Sequence, residues 1–209
     1  VSTRGFISFV IDGEEKTAYN HYDSYPDALG LTVLHFLWAH RHELTCDLHR
    51  GEFGAVAGQA RRLRVVDGQS PPTAEDVERF AQFSWNAERH GGDRDLRKGQ
   101  EWYDLLHETM GKPDLMLEAG VIEDGRDFPR NSLFAEWGYV VDLDEQRFEV
   151  YRGFQTAPHE RGRFAAREPI ERSAVGTYYP VALAASWPLS ELPSDENFGA
   201  ALSEPDEDE

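Results

Sequence analysis

The sequence predicts an α+β fold: a mainly antiparallel sheet of about five strands, two hairpins plus one strand, with a helical insert between the hairpins. Three observations lead there. Apolar, β-branched and aromatic runs gather near residues 6–22 and 134–187. The stretch between them carries apolar residues at three- and four-residue steps. Each strand pair is joined by a short polar turn sequence. No internal repeat and no linker divides the chain, so residues 1–189 read as one domain, with 190–209 as an acidic disordered tail.

The first hairpin runs from Phe6 to Tyr22. Asp12-Gly13 tolerates the positive φ values of a tight turn, which separates Phe6–Ile11 from the more polar Lys16–Tyr22. Apart from Ser8 the first strand is apolar on both faces, which predicts a central, doubly covered strand. Asp27 to about His49 carries Val33, Leu34, Leu37, Leu44 and Leu48 on one helical face, and Ala55–Leu63 predicts a further helix. Thr73-Ala-Glu-Asp76 has the form of a capping box and opens a helix to about Glu88. Arg89–Gly99 reads as a surface loop, Gln100–Met110 as a helix stopped by Gly111, and Pro113–Ala119 as a short helix stopped by Gly120.

The second hairpin pairs Trp137–Leu143 with Arg147–Gly153, with Phe148, Val150 and Arg152 on one face and Glu149 and Tyr151 on the other. Ala157–Arg172 is polar and Arg-rich and reads as a loop. Tyr178–Trp187 is a last strand, interrupted by Pro180 and therefore at an edge. From Glu191 to Glu209 there are eight acids and no bases, with Phe198 and Leu202 expected to dock only transiently.

Charge narrows the function classes. The chain of 209 residues carries 39 Asp and Glu against 21 Lys and Arg, a net charge of −18. Such a surface repels phosphate backbones and anionic lipid, so non-specific nucleic-acid binding and membrane association are not expected; a basic protein partner belongs to the alternative of an acidic interaction protein. One cysteine, Cys46, excludes an intrachain disulfide. No run reaches about 18 apolar residues, and Val1–Val10 reads as a strand and not a signal peptide, with Val1 an alternative start; a cytoplasmic location is expected.

No phosphate-loop, dinucleotide, His-Glu-x-x-His or Gly-x-Ser-x-Gly pattern occurs, and no cofactor is expected. The densest polar segment is Asn20-His21-Tyr22-Asp23-Ser24-Tyr25-Pro26, where a strand ends and a helix begins. His21 suits proton transfer near neutrality and Asp23 suits setting its tautomer. The alternative is that Asp23 or Ser24 caps the helix. Continuing the Asp12-Gly13 register outward sets Arg4 opposite His21, where it offers an ion pair to Asp23 or a clamp for an anion. Asn20, Ser24 and Tyr25 complete this candidate ligand site.

The second hairpin adds Trp137, Tyr139 and Arg152, side chains suited either to stacking on a ligand ring or to ordinary sheet packing. His35, His42, Cys46 and His49 fall within about 40° of one another on an ideal helix, but they read as a solvated polar face and no metal is expected.

Thr3-Arg4-Gly5-Phe6, Tyr19-Asn20-His21-Tyr22-Asp23-Ser24-Tyr25-Pro26 and Glu136-Trp137-Gly138-Tyr139-Val140-Val141-Asp142-Leu143 followed by Phe148-Glu149-Val150-Tyr151 together resemble a group of uncharacterised proteins of actinobacteria, their phages and some fungi. Those proteins open with a Thr-Arg-Gly strand and carry an Asn-His-x-Asp-Ser-Tyr-Pro segment and a Glu-Trp-x-Tyr…Asp-Leu-Asp hairpin. The resemblance implies a family and no activity. A strand opening on Ser2 or Thr3 is also similar to the N-terminal nucleophile hydrolases, in which a free α-amine activates its own side chain. The leading expectation is a protein that binds a small polar or anionic ligand at His21, Asp23 and Arg4, as a hydrolase or group transferase. The alternative is a non-catalytic acidic interaction protein, phage- or defence-associated.

Overall fold

The computed structural model describes residues 3–47, 50–81, 101–172 and 176–203. Its fold is α+β. Two long strands come first, β1 (Gly5–Ile11) and β2 (Glu14–Asn20), then a π-helical turn Pro26–Gly30 and α1 (Leu31–Ala39). A small hairpin, β3 (Cys46–Asp47) and β4 (Glu52–Phe53), precedes α2 (Ala55–Arg62), β5 (Arg64–Val66) and α3, described over Ala74–Ala81. Next come α4 (Trp102–Leu106), α5 (Pro113–Ala119), β6 (Val121–Glu123) and a 3-10 turn Phe128–Arg130. The second hairpin is β7 (Trp137–Asp142) and β8 (Arg147–Arg152), followed by β9 (Ile170–Arg172), β10 (Gly176–Tyr178), β11 (Ala182–Pro188) and α6 (Asp195–Leu202).

Five strands make the main sheet in the order β11-β8-β7-β1-β2. All neighbours are antiparallel except the central pair, β1 and β7, which runs parallel with Gly5 beside Trp137. The first hairpin has the register its Asp-Gly turn dictates, Ile11 opposite Glu14 and Gly5 opposite Asn20. As its apolar composition requires, β1 is central and buried along its whole length. Ser8, its one polar residue, faces Thr17 across the strand pair, the two hydroxyls 2.8 Å apart. The expected last strand, Tyr178–Trp187, is split around Pro180: Tyr178 ends β10, which pairs with β9 in a separate two-stranded sheet, and β11 lies at the edge of the main sheet.

Strand alternation divides the core. Ile7, Phe9, Ile11, Tyr139, Val141, Phe148 and Val150 face α1, α2, α5 and α6. Phe6, Val10, Val140 and Tyr151 face the other way, where Phe164 and Val181 from the irregular segment cover them. A third cluster, Phe80, Trp102, Leu105, Leu106, Ala119 and Val121, holds the helical insert together. The Phe6 ring lies across residue 138 of the neighbouring strand, which leaves room only for glycine: a Cβ there would lie 2.0 Å from Cζ of Phe6. Gly138→Ala should therefore destabilise by about 1–3 kcal/mol, read as a lower urea midpoint at unchanged slope.

Some elements differ from expectation. The helix expected over Asp27–His49 begins as the π-helical turn and ends at Ala39, because His40-Arg41-His42-Glu43 offers no apolar side chain to bury. Leu44 reaches the core from the irregular segment before β3 instead; Leu48 lies outside the described residues. Helix α4 stops at Leu106, and turns carry the chain to Gly111. The capping box forms, with the Asp76 amide donating to the Thr73 hydroxyl and the Thr73 amide to the Asp76 carboxylate, both at 3.1 Å. The expected continuation of that helix beyond residue 81, and the loop 89–99, lie outside the described residues.

The Arg-rich stretch is a loop as expected up to residue 169 and ends in β9, but it is not only surface, and the expected disordered tail is corrected. The Arg-rich stretch buries Phe164, and Arg163 donates to Asp142 and Glu149 beneath the sheet. The Tyr151 hydroxyl donates to the same Glu149 at 2.9 Å. Burial alone would lower the Arg163 pKa, but the two carboxylates outweigh it and raise it. The expected tail from residue 190 is ordered through 203. Leu192, Phe198 and Leu202 are buried, Ser194 caps α6, and Phe198 stacks on Phe148 with ring centroids 6.0 Å apart. Residues 204–209 lie outside the described residues. No helix among the described residues is long and apolar enough to cross a membrane.

Candidate functional site

The candidate site gathers where β2 ends, with Tyr19 its penultimate residue and His21 the first residue beyond it. The Tyr19 hydroxyl lies 2.6 Å from Nδ1 of His21. The His21 amide donates to Sδ of Met110 at 3.4 Å. The Tyr19 ring packs edge-on against Phe128, and the His21 ring against Tyr22. Tyr22 and Tyr103 in turn flank His107. The result is a seam of aromatic and imidazole rings between the sheet edge and the helical insert.

Burial raises the Tyr19 phenol pKa, with Tyr103 and Tyr22 adding to the effect and Arg4 opposing it. The phenol is therefore protonated at neutral pH. It can donate to Nδ1 of neutral His21, which places the ring proton on Nε2, or accept from Nδ1 when the ring is protonated. That is the orienting role expected of Asp23. Tyr19 was missed because a tyrosine in a strand has an ordinary packing explanation; its two-residue spacing from His21 was the signal available.

Beside Tyr19 opens a cavity of about 200 Å³. Its walls are Ala18, Leu106, Met110, Met116 and Ile122, and its polar lining comes from Tyr19, Tyr103, Thr109, Glu123 and Asp124. Met110 also lines a more open recess of about 400 Å³ with Asn20, Tyr22, Asp23 and His107. The two spaces thus flank the Met110 contact that holds the His21 backbone.

The other expected residues divide between site and frame. The Asn20 amide donates to Oγ of Ser24 at 2.8 Å and to the Tyr22 carbonyl. Ser24 is fully buried; its amide donates to Thr3 and its carbonyl accepts from the Tyr139 hydroxyl at 2.8 Å. Both Ser24 and the buried Tyr139 therefore act as frame. Gly5 leaves room for this packing, since a Cβ there would sit 2.6 Å from that of Ser24. Asp23 is exposed with a left-handed backbone, φ 47°, and its carbonyl accepts from Leu29. Neither Asp23 nor Ser24 caps the following turn through its side chain; Tyr25 holds the cap position and is exposed.

Arg4 lies over the Phe134 ring at 5.2 Å, and its Nε is buried without a hydrogen-bond partner among the described residues. Trp137 and Arg152 pair across β7 and β8, the guanidinium 5.6 Å from the indole. They share the sheet end with Asn20 but line neither space beside His21.

The histidine stripe does not form on one helix. His35 is on α1 and bonds Asp195 of α6, His42 is in a turn, Cys46 is in β3, and His49 lies outside the described residues. No group of three or more His, Cys, Asp or Glu side chains among the described residues is placed to hold a metal ion. No protein-family model matches the chain, and no curated protein and no solved structure matches it.

Proposed function

We propose that the protein binds a small polar ligand in the cleft at the end of β2, and that His21, which lines neither space itself, exchanges a proton with it by way of Tyr19, the cavity-lining residue that fixes its ring. The observation that carries this reading is the 2.6 Å Tyr19–His21 contact beside an apolar cavity. A positioned imidazole contributes about 10²–10⁴ to rate in acid–base chemistry, which suits hydrolysis or group transfer. Asn20 and Asp23 line the adjoining recess, and Arg4 influences Tyr19 electrostatically.

The test uses ring nitrogen-15 spectra and a model ester, p-nitrophenyl acetate. The neutral His21 ring should carry its proton on Nε2, and Tyr19→Phe should raise the Nδ1-protonated fraction. Ester cleavage should fall at least about tenfold in His21→Gln. Equal cleavage in wild type and variant, with no tautomer change in Tyr19→Phe, removes the proposal.

A second reading is favoured by a separate observation. Tyr22, Tyr25 and Tyr103 are 43–49% exposed and lie in sequence beside the exposed acids Asp23, Asp27 and Glu101. Tyrosines among carboxylates suit a basic protein partner, met through cation–π and ionic contacts. An oligo-arginine peptide that binds wild type and a Tyr22→Ser, Tyr103→Ser variant equally would count against it.

A further inference from the structure

The cavity beside Tyr19 restricts the ligand class of the proposed site, a restriction that rests on that site being used. Its volume, about 200 Å³, exceeds the roughly 150 Å³ that holds one benzene ring, so it fits a single ring with a short substituent. Its walls are soft and apolar. The chain contains two methionines, and both, Met110 and Met116, face this space. Thioethers and tyrosine rings make favourable contacts with an aromatic ring and adapt to its outline.

The charge of the lining selects the substituent. No Lys, Arg or His is among the described lining residues, whereas Glu123 and Asp124 are. Arg126 offsets Asp124, donating to its carboxylate from Nε at 2.9 Å. Glu123 is exposed, and its carboxylate has no ion-pair partner among the described residues. The Tyr19 and Tyr103 rings add the negative face of their π systems. An anionic head would meet repulsion here, and a neutral one would forgo the attraction.

We infer that the cavity takes a protonated primary amine carried on one ring, the ring among Leu106, Met110, Met116 and Ile122 and the ammonium toward Glu123. This narrows the expectation of a polar or anionic ligand to the cationic side.

The two methionines supply the readout. Protein labelled with carbon-13 at the methionine methyls gives two signals, and each is a probe of this space. Benzylamine, benzyl alcohol and benzoate differ mainly in the charge of the head. Benzylamine should shift both signals saturably and bind about five- to tenfold tighter than benzyl alcohol, with benzoate weakest. Glu123→Gln should remove most of that advantage and leave benzyl alcohol unchanged. Benzyl alcohol or benzoate binding as tightly as benzylamine, or insensitivity to Glu123→Gln, overturns the amine assignment while leaving the cavity as the site. Methionine signals unmoved by all three probes overturn the cavity as the ligand site. A normal benzylamine response with ester cleavage unaffected in His21→Gln would sink only the proton-transfer role.

Discussion

Deleting residues 190–209 should lower the melting temperature by about 8–15 °C, because it strips the sheet of a docked helix. Phe198 is 1% exposed, and Leu192 and Leu202 are buried with it. Phe198 packs on both Phe148 and Trp187, with centroids 6.0 and 5.6 Å away, and those two rings also meet at 6.0 Å. Truncating a buried Phe costs about 3–5 kcal/mol, and each kcal/mol moves the midpoint of a domain this size by about 2–4 °C. Phe198→Ala alone should therefore account for most of the effect, while Phe198→Leu should recover much of it. Differential scanning calorimetry decides the matter: a loss under about 3 °C for the deletion would show that α6 contributes little.

The second large effect is expected beneath the opposite face. Arg163→Ala should destabilise by about 3–5 kcal/mol, because it leaves buried Asp142 and half-buried Glu149 without their cation. Asp142 is 2% exposed, and its other oxygen accepts the amides of Asp144 and Glu145, so it also shapes the β7–β8 turn. Replacing Arg163 and Glu149 together by Met and Leu should cost less than Arg163→Ala, since fewer unpaired charges then remain. Urea unfolding of the single and double variants gives the coupling. A double variant less stable than the single one would mean that the charges stabilise the fold beyond mutual compensation.

Legibility of the fold depends on where the information sits. Strand pairs joined by a tight turn carry their register in the turn, so Asp12-Gly13 was enough to place Gly5 beside Asn20. The apolar double face of β1 was enough to make it central. What it packs beside was not legible, because the β1–β7 pairing joins residues 132 apart through backbone groups common to every residue. Helix α6 was hidden by composition: its acids face solvent, and two apolar residues four apart, Phe198 and Leu202, do the docking. Charge suggests solvation there, whereas burial depends on spacing. Arg163 was hidden in the same way, since an arginine in a polar run announces nothing of a buried carboxylate 21 residues earlier. At the candidate site, Asn20, His21 and Ser24 were recognisable as polar residues at a strand end. The walls contributed by Met110, Met116 and Ile122 come from the helical insert, which only the tertiary fold brings to β2.

The parallel pairing of β1 with β7 also sets an order of events for the chain during synthesis and refolding. The first hairpin can close locally in microseconds, but one long edge of β1 stays open until residue 142 is available. Its second apolar face waits longer still, for Phe164 and Val181. The loop that must close spans the entire helical insert, so the central ladder forms late and raises the contact order of the whole molecule. A nascent chain therefore displays an unpaired edge strand reading Gly-Phe-Ile-Ser-Phe-Val-Ile for most of its translation. The carboxylates that adjoin that strand in sequence, Asp12, Glu14 and Glu15, sit where gatekeeping charge suppresses association between incomplete chains.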